Sequence, residues 1–126
     1  MEKKEKKILE FHYLQQQLKN LISYQEFLQK YYQEIYDSIE SLKVCKETKE
    51  FLIDIGNNVF AKVKLLEEKF LVNIGSGIFL EKNLDESIKI LEKRLKSVEE
   101  EIKEVNENIR VLYQYLENLS NELKKE

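Results

Sequence analysis

The chain is 126 residues long, 36% charged, with a net charge of −3 and no proline. That length suits one domain. Acids and bases balance at thirteen each over residues 1–83 and stand at eleven to eight beyond, leaving no basic face to counter phosphates, which argues against nucleic acid as a partner.

No apolar run approaches the roughly 18 residues that a membrane span needs. The opening stretch MEKKEKK lacks the apolar core of a signal peptide. A single cysteine, Cys45, cannot form an internal disulfide, and a cytoplasmic protein is the simplest reading.

In chain order, the first element is a helix over residues 1–47. Phe11, Leu14, Leu18, Leu21, Gln25, Leu28, Tyr32, Ile35, Ile39 and Leu42 follow alternating steps of three and four. That is the 3.5-residue repeat of a coiled-coil seam, and one polar member, Gln25, is a known way of fixing register. Tyr24, Tyr31 and Tyr36 flank the seam, where they would thicken the interface.

Residues 51–82 read differently. FLIDIGNNVF, 51–60, returns nineteen positions later as FLVNIGSGIF, 70–79, and all three glycines fall inside the two copies. Short β-branched and aromatic runs around GNN and GSG predict two β-hairpins, because a tight hairpin turn demands positive φ. LEEK, 66–69, joins them.

The last element is a helix over 83–126. Leu84, Ile88, Leu91, Leu95, Val98, Ile102, Val105, Ile109, Leu112, Leu116, Leu119 and Leu123 make a wholly apolar seam. Asn83 is placed to cap it, with Asp85 and Glu86 in the first turn against the positive helix end. Asp85–Lys89, Glu92–Lys96 and Glu99–Lys103 stand at i,i+4 in the favourable order.

The two seams match if the chain folds back. Setting Leu42 against Leu84 puts Ile35 beside Leu91, Leu28 beside Val98, Leu21 beside Val105 and Phe11 beside Leu116. The fold class is therefore mainly α with a small β insert: a long antiparallel coiled-coil helical hairpin joined by two β-hairpins. A lone hairpin is marginal in water and its edges are seldom left bare. The insert is thus expected to oligomerise, through Phe51, Ile53, Ile55, Val59 and Phe60 in one copy and Phe70, Val72, Ile74, Ile78 and Phe79 in the other.

This arrangement, with VNIGSGIFLEK at the second turn and NLDESIKILEKRL opening the last helix, closely resembles the α-type subunits of prefoldin, archaeal or eukaryotic. The duplicated hairpin is what points to the α side, since β-type subunits carry one. The resemblance implies a hexamer of two α-type and four β-type subunits, whose hairpins form a shared double β-barrel. It also implies ATP-independent capture of unfolded polypeptide at the coiled-coil tips and delivery to a group II chaperonin.

Nothing in the sequence points to an enzyme or a cofactor. His12 and Cys45 read as a surface residue and a helix-end residue, and no zinc-spaced ligand set can be assembled. The acids at 99, 100, 101, 104 and 107 lack the Glu-x-x-His of di-iron bundles and read as a solvated face. Gly75-Ser76-Gly77 is too short to cradle a phosphate.

What remains is apolar surface outside the seam. Leu9, Tyr13 and Val111 face outward, Tyr113 and Tyr115 flank the seam, and the register makes the three tyrosines neighbours. Leu119 would meet Lys7 and Leu123 would meet Lys3 or Lys4, with Ile8 partly compensating. Scattered surface hydrophobes and frayed ends are ordinary. The resemblance makes Ile8, Leu9, Tyr13, Val111, Tyr113, Tyr115, Leu119 and Leu123 candidate client contacts at the tip. The same features also suit a structural scaffold whose hairpins propagate into filaments, or a coiled-coil adaptor.

Overall fold

The computed structural model describes residues 2–125. Helix α1 (Glu2–Glu47) is followed by strands β1 (Glu50–Gly56), β2 (Val59–Lys64), β3 (Phe70–Gly75) and β4 (Ile78–Lys82), then helix α2 (Leu84–Lys125). The chain divides into two compact units, both of which α1 and α2 run through. One is built from the stretches up to Tyr32 and from Ser97 onward; the other is Gln33–Lys96.

In the first unit the two helical stretches lie antiparallel, close to the register read from the seams. Tyr24 bonds to Glu101 and Tyr115 to Glu10, so both pairs of numbers total 125. Leu28, Val98, Val105, Leu116 and Leu119 are buried, while Phe11, Leu14, Leu18, Leu21, Leu112 and Leu123 are half-buried. The burial follows the alternating three–four spacing, because only that spacing keeps side chains on one stripe of a helix. Gln25, the polar seam member, donates its amide hydrogen to Asn106 on α2. One of its amide donors is thereby satisfied across the pair.

In the second unit Ile35, Ile39 and Leu84 are buried, and Ser87 is enclosed with its hydroxyl donating to the Asn83 carbonyl at 2.7 Å. The start of α2 is a reciprocal capping box. The Glu86 N–H donates to Asn83 Oδ1 at 2.8 Å and the Asn83 N–H to Glu86 Oε1 at 3.3 Å, so two of the helix's orphan donors are satisfied. Thr48 closes α1 by donating its N–H to the Val44 carbonyl, and its hydroxyl accepts the Glu50 N–H as the chain enters β1.

The strands form two separate two-stranded antiparallel sheets, β1 with β2 and β3 with β4. Both carry a register shift at the same place, between Asp54 and Gly56 and between Asn73 and Gly75. Both turns have φ > 0 at their two central residues, Asn57 and Asn58 in one, Ser76 and Gly77 in the other. Two positive φ angles are what a two-residue turn needs if its twist is to match the strands.

Candidate interaction surfaces

The pairing registers sort each hairpin's side chains into two faces. Leu52, Asp54, Phe60 and Lys62 share one face of the first, and Leu71, Asn73, Phe79 and Glu81 the equivalent face of the second. On these faces Leu52 is 65% exposed and Leu71 73%, with Phe60 and Phe79 also in solvent. The opposite faces are better covered: Phe51, Ala61 and Val63, and Phe70 and Val72, are half-buried. Of the residues expected to assemble, Phe51, Phe70 and Val72 are thus half-buried, and Ile53, Ile55, Val59, Phe60, Ile74, Ile78 and Phe79 are exposed.

β3 is tied to the helices of its unit. Phe70 and Val72 share an open groove with Leu42, Cys45, Leu91 and Arg94, and the Arg94 guanidinium donates to the Asn73 carbonyl. Burial in this groove pushes the Cys45 thiol above its ordinary pKa, which lowers its reactivity.

The second surface lies in the first unit, near both termini. Ile8, Leu9, Tyr13, Val111, Tyr113 and Tyr115 are all exposed, Leu9 to 70%. Two of the expected residues differ. Leu119 is only 5% exposed and Leu123 is half-buried. Lys7 is itself half-buried, with its ammonium 3.6 Å from Glu122, so its methylenes can serve as apolar cover while its charge stays in water. The seam therefore continues through Leu119, although the register sets a lysine rather than an apolar side chain opposite it.

The expected tyrosine trio is also divided. Tyr113 lines a groove with Phe11, Leu18 and Leu116, whereas Tyr115 lines another with Leu14, Val111 and Leu112 and donates its hydroxyl to Glu10 at 2.8 Å. Two residues apart on a helix means about 200° around its axis, which places the rings on opposite flanks of the pair.

Mid-helix, Tyr24, Tyr31 and Tyr36 stay substantially exposed, as does Phe27, a residue the seam reading passed over. Its signal was present in the spacing: Phe27 is three residues after Tyr24 and four before Tyr31. The ring centroids are 6.3 and 6.2 Å apart in turn. Beside them, the Tyr24 hydroxyl donates to the Glu101 carboxylate, which raises the Tyr24 pKa; burial and the Glu101 and Glu104 charges add to the effect.

Among the described residues, no group of three or more His, Cys, Asp and Glu is placed to hold a metal ion, and no helix is long and apolar enough to cross a membrane.

Two helices folded back on each other, with twin β-hairpins between them and uncovered apolar faces on the insert, define the class as a coiled-coil hairpin with a paired β insert. The chain belongs to the prefoldin family: the family model described as prefoldin subunit matches residues 14–126. This is a family of non-enzymatic chaperone subunits, which supports a chaperone-type subunit that assembles with others of the family. Among solved structures, filamentous PFD from Methanocaldococcus jannaschii, determined by cryo-EM, aligns with a TM-score of 0.73. The two are 22% identical, over 89% of this chain and 96% of that one, a likeness of fold. No curated protein matches the sequence.

Proposed function

We propose that this chain is an α-type prefoldin subunit, a single prefoldin-like domain acting as an ATP-independent holdase in the cytoplasm. Its hairpins join those of single-hairpin β-type subunits in a shared double β-barrel, two α-type with four β-type chains. Its exposed helix-end residues hold unfolded polypeptides until a group II chaperonin receives them. The observation that carries this is the twin insert. Each sheet has only two strands and keeps leucine and phenylalanine in water, which is marginal for a hairpin standing alone and suited to pairing with others.

The test is mass measurement of the protein mixed with a β-type subunit, for the parent and for Phe79→Asp. Phe79 is exposed on the uncovered face of its hairpin, and a charge there would be buried without a partner once hairpins pack on that face, at a cost of several kcal/mol. The parent should form a closed particle, and the variant should remain unassembled with its helix signal largely kept. A variant that assembles normally would show that the hairpins are not the interface.

A second reading, a filament-building scaffold, is favoured by the likeness to a filamentous PFD. Contacts that do not close give open polymers, while closing ones give a defined particle. Long polymers of this chain without any partner would favour it.

A further inference from the structure

Tyr24, Phe27 and Tyr31 form a ladder of rings on α1 that neither the seam nor the helix-end surface accounts for. Steps of three and four stack them on one side of the helix. Tyr24 and Phe27 are nearly parallel, 12° between ring planes, and Phe27 is 60% exposed at the middle of the ladder. A contiguous aromatic patch in water marks a binding surface more often than a lone exposed leucine does.

What lies beside the ladder narrows the occupant. Glu101 accepts the Tyr24 hydroxyl, and the Glu104 charge is felt at the same hydroxyl, so the Tyr24 end of the ladder carries negative charge. Glu101 and Glu104 are three apart on α2 and so share a face. Glu101 keeps acceptor capacity, because a carboxylate has about four lone-pair sites and Tyr24 occupies one. Aromatic faces bordered by carboxylates attract cations twice over, through the negative ring face and through ion pairing, and they repel anionic segments.

We propose that Tyr24, Phe27 and Tyr31, with Glu101 and Glu104, form a second capture surface on this chain, selective for extended polypeptide segments in which basic and apolar side chains alternate. It rests on the reading of the chain as a capture subunit and adds a preference by charge. The apolar side chains lie against Phe27, and the basic ones reach the ring faces and the two carboxylates.

The test uses the full chain and two labelled, unstructured peptides of equal length and identical apolar residues, one carrying lysines and the other glutamates between them. Fluorescence anisotropy should show the lysine peptide binding at least about tenfold more tightly, with an affinity that falls as salt is raised. Phe27→Ser should weaken the lysine peptide by roughly tenfold. Glu101→Gln with Glu104→Gln should weaken it and remove most of the difference between the peptides. Circular dichroism should match the parent in each variant, since Phe27, Glu101 and Glu104 are exposed. Equal binding of the two peptides, binding of neither, or an unchanged Phe27→Ser would overturn the proposal. So would Phe27-dependent self-association on size-exclusion, which would make the ladder a contact between copies. Suppression of aggregation of a denatured test protein by the parent reads the capture function separately. If suppression holds while peptide charge makes no difference, only the ladder proposal falls.

Discussion

The Asp54 carboxylate accepts the backbone N–H of Gly56 at 2.7 Å, and nineteen residues on Asn73 does the same for Gly75 at 2.9 Å. Each bond spans the position where the strand register shifts, so the side chain satisfies a donor that the irregular ladder leaves unpaired. This explains why the repeated motif keeps a short acceptor there, acid in one copy and amide in the other. We predict that Asp54→Ala or Asn73→Ala costs about 0.5–1 kcal/mol, the ordinary net worth of one such bond. Asp54→Asn should be nearly neutral. Thermal unfolding of the three variants checks this, and an Asp54→Ala melt identical to the parent's would mean that the bulge needs no cap.

The second hairpin carries a cost that the first avoids. Ser76 sits at φ 52°, left-handed backbone that serine adopts reluctantly, while the first turn places asparagine at its equivalent, Asn57. Ser76→Asn would make the turn Asn-Gly, the favoured pair for this geometry. It should stabilise the protein by a few tenths to about 1 kcal/mol. A lowered melting temperature would contradict this.

Gln25 is the polar member of an apolar seam, and its amide hydrogen bond to Asn106 crosses between the helices. A polar seam pair gives up burial energy and gains a single preferred register. Gln25→Leu should therefore raise the unfolding free energy by roughly 1 kcal/mol, from the added apolar burial. It should also loosen specificity, seen as additional association states on size-exclusion. A single unchanged species would show that the amide pair does not set the register.

The architecture was legible because heptads of twelve and ten positions repeat far beyond chance and because Gly56, Gly75 and Gly77 punctuate a duplicated phrase. Asn83 as a cap was legible for a similar reason: Asn, then Glu three residues later, is a local pattern whose bonds form within one turn. Longer-range details were not. Leu119 is buried although the register sets a lysine opposite it, and charge at a facing position does not reveal where a lysine's methylenes go. The separation of Tyr113 from Tyr115 follows from rotation around α2, which a list of paired positions ignores. Of the three i,i+4 pairs expected on α2, Glu99–Lys103 is found within ion-pair distance, at 3.9 Å. Long exposed side chains gain little by holding such a contact.

Two tyrosines link the helices of the first unit to carboxylates, and this gives an alkaline signature. The Glu101 hydrogen bond raises the Tyr24 pKa, and the Glu10 hydrogen bond raises that of Tyr115. A raised folded value means that the bond's contribution is fully present below the unfolded tyrosine pKa of about 10 and is lost as pH rises through the folded value. In a near-ultraviolet absorbance titration, Glu101→Gln should bring the ionisation of Tyr24 to lower pH, and Glu10→Gln that of Tyr115. Variants that titrate like the parent would show that these bonds do not persist in solution.

The capture surface near the termini is best tested by substitution. Removing residues 1–10 and 117–126 would also remove buried Leu119 and the Lys7–Glu122 pair, so any loss would mix unfolding with lost contacts. Leu9, Tyr13, Val111 and Tyr113 are all exposed, and Tyr115 is left alone because it holds Glu10. Replacing those four by serine removes apolar area from the surface and substitutes no buried seam residue. Stability should then stay within about 0.5 kcal/mol per site, as surface changes usually do. Apolar contact with an unfolded chain is non-directional and scales with area, and several weak contacts from neighbouring subunits add through effective concentration. We therefore predict that the fourfold variant assembles like the parent on size-exclusion but suppresses light scattering from a denatured test protein severalfold less well. If it protects as well as the parent, these residues are not the capture surface, and the ring ladder of Tyr24, Phe27 and Tyr31 remains as the apolar face on which clients could be held.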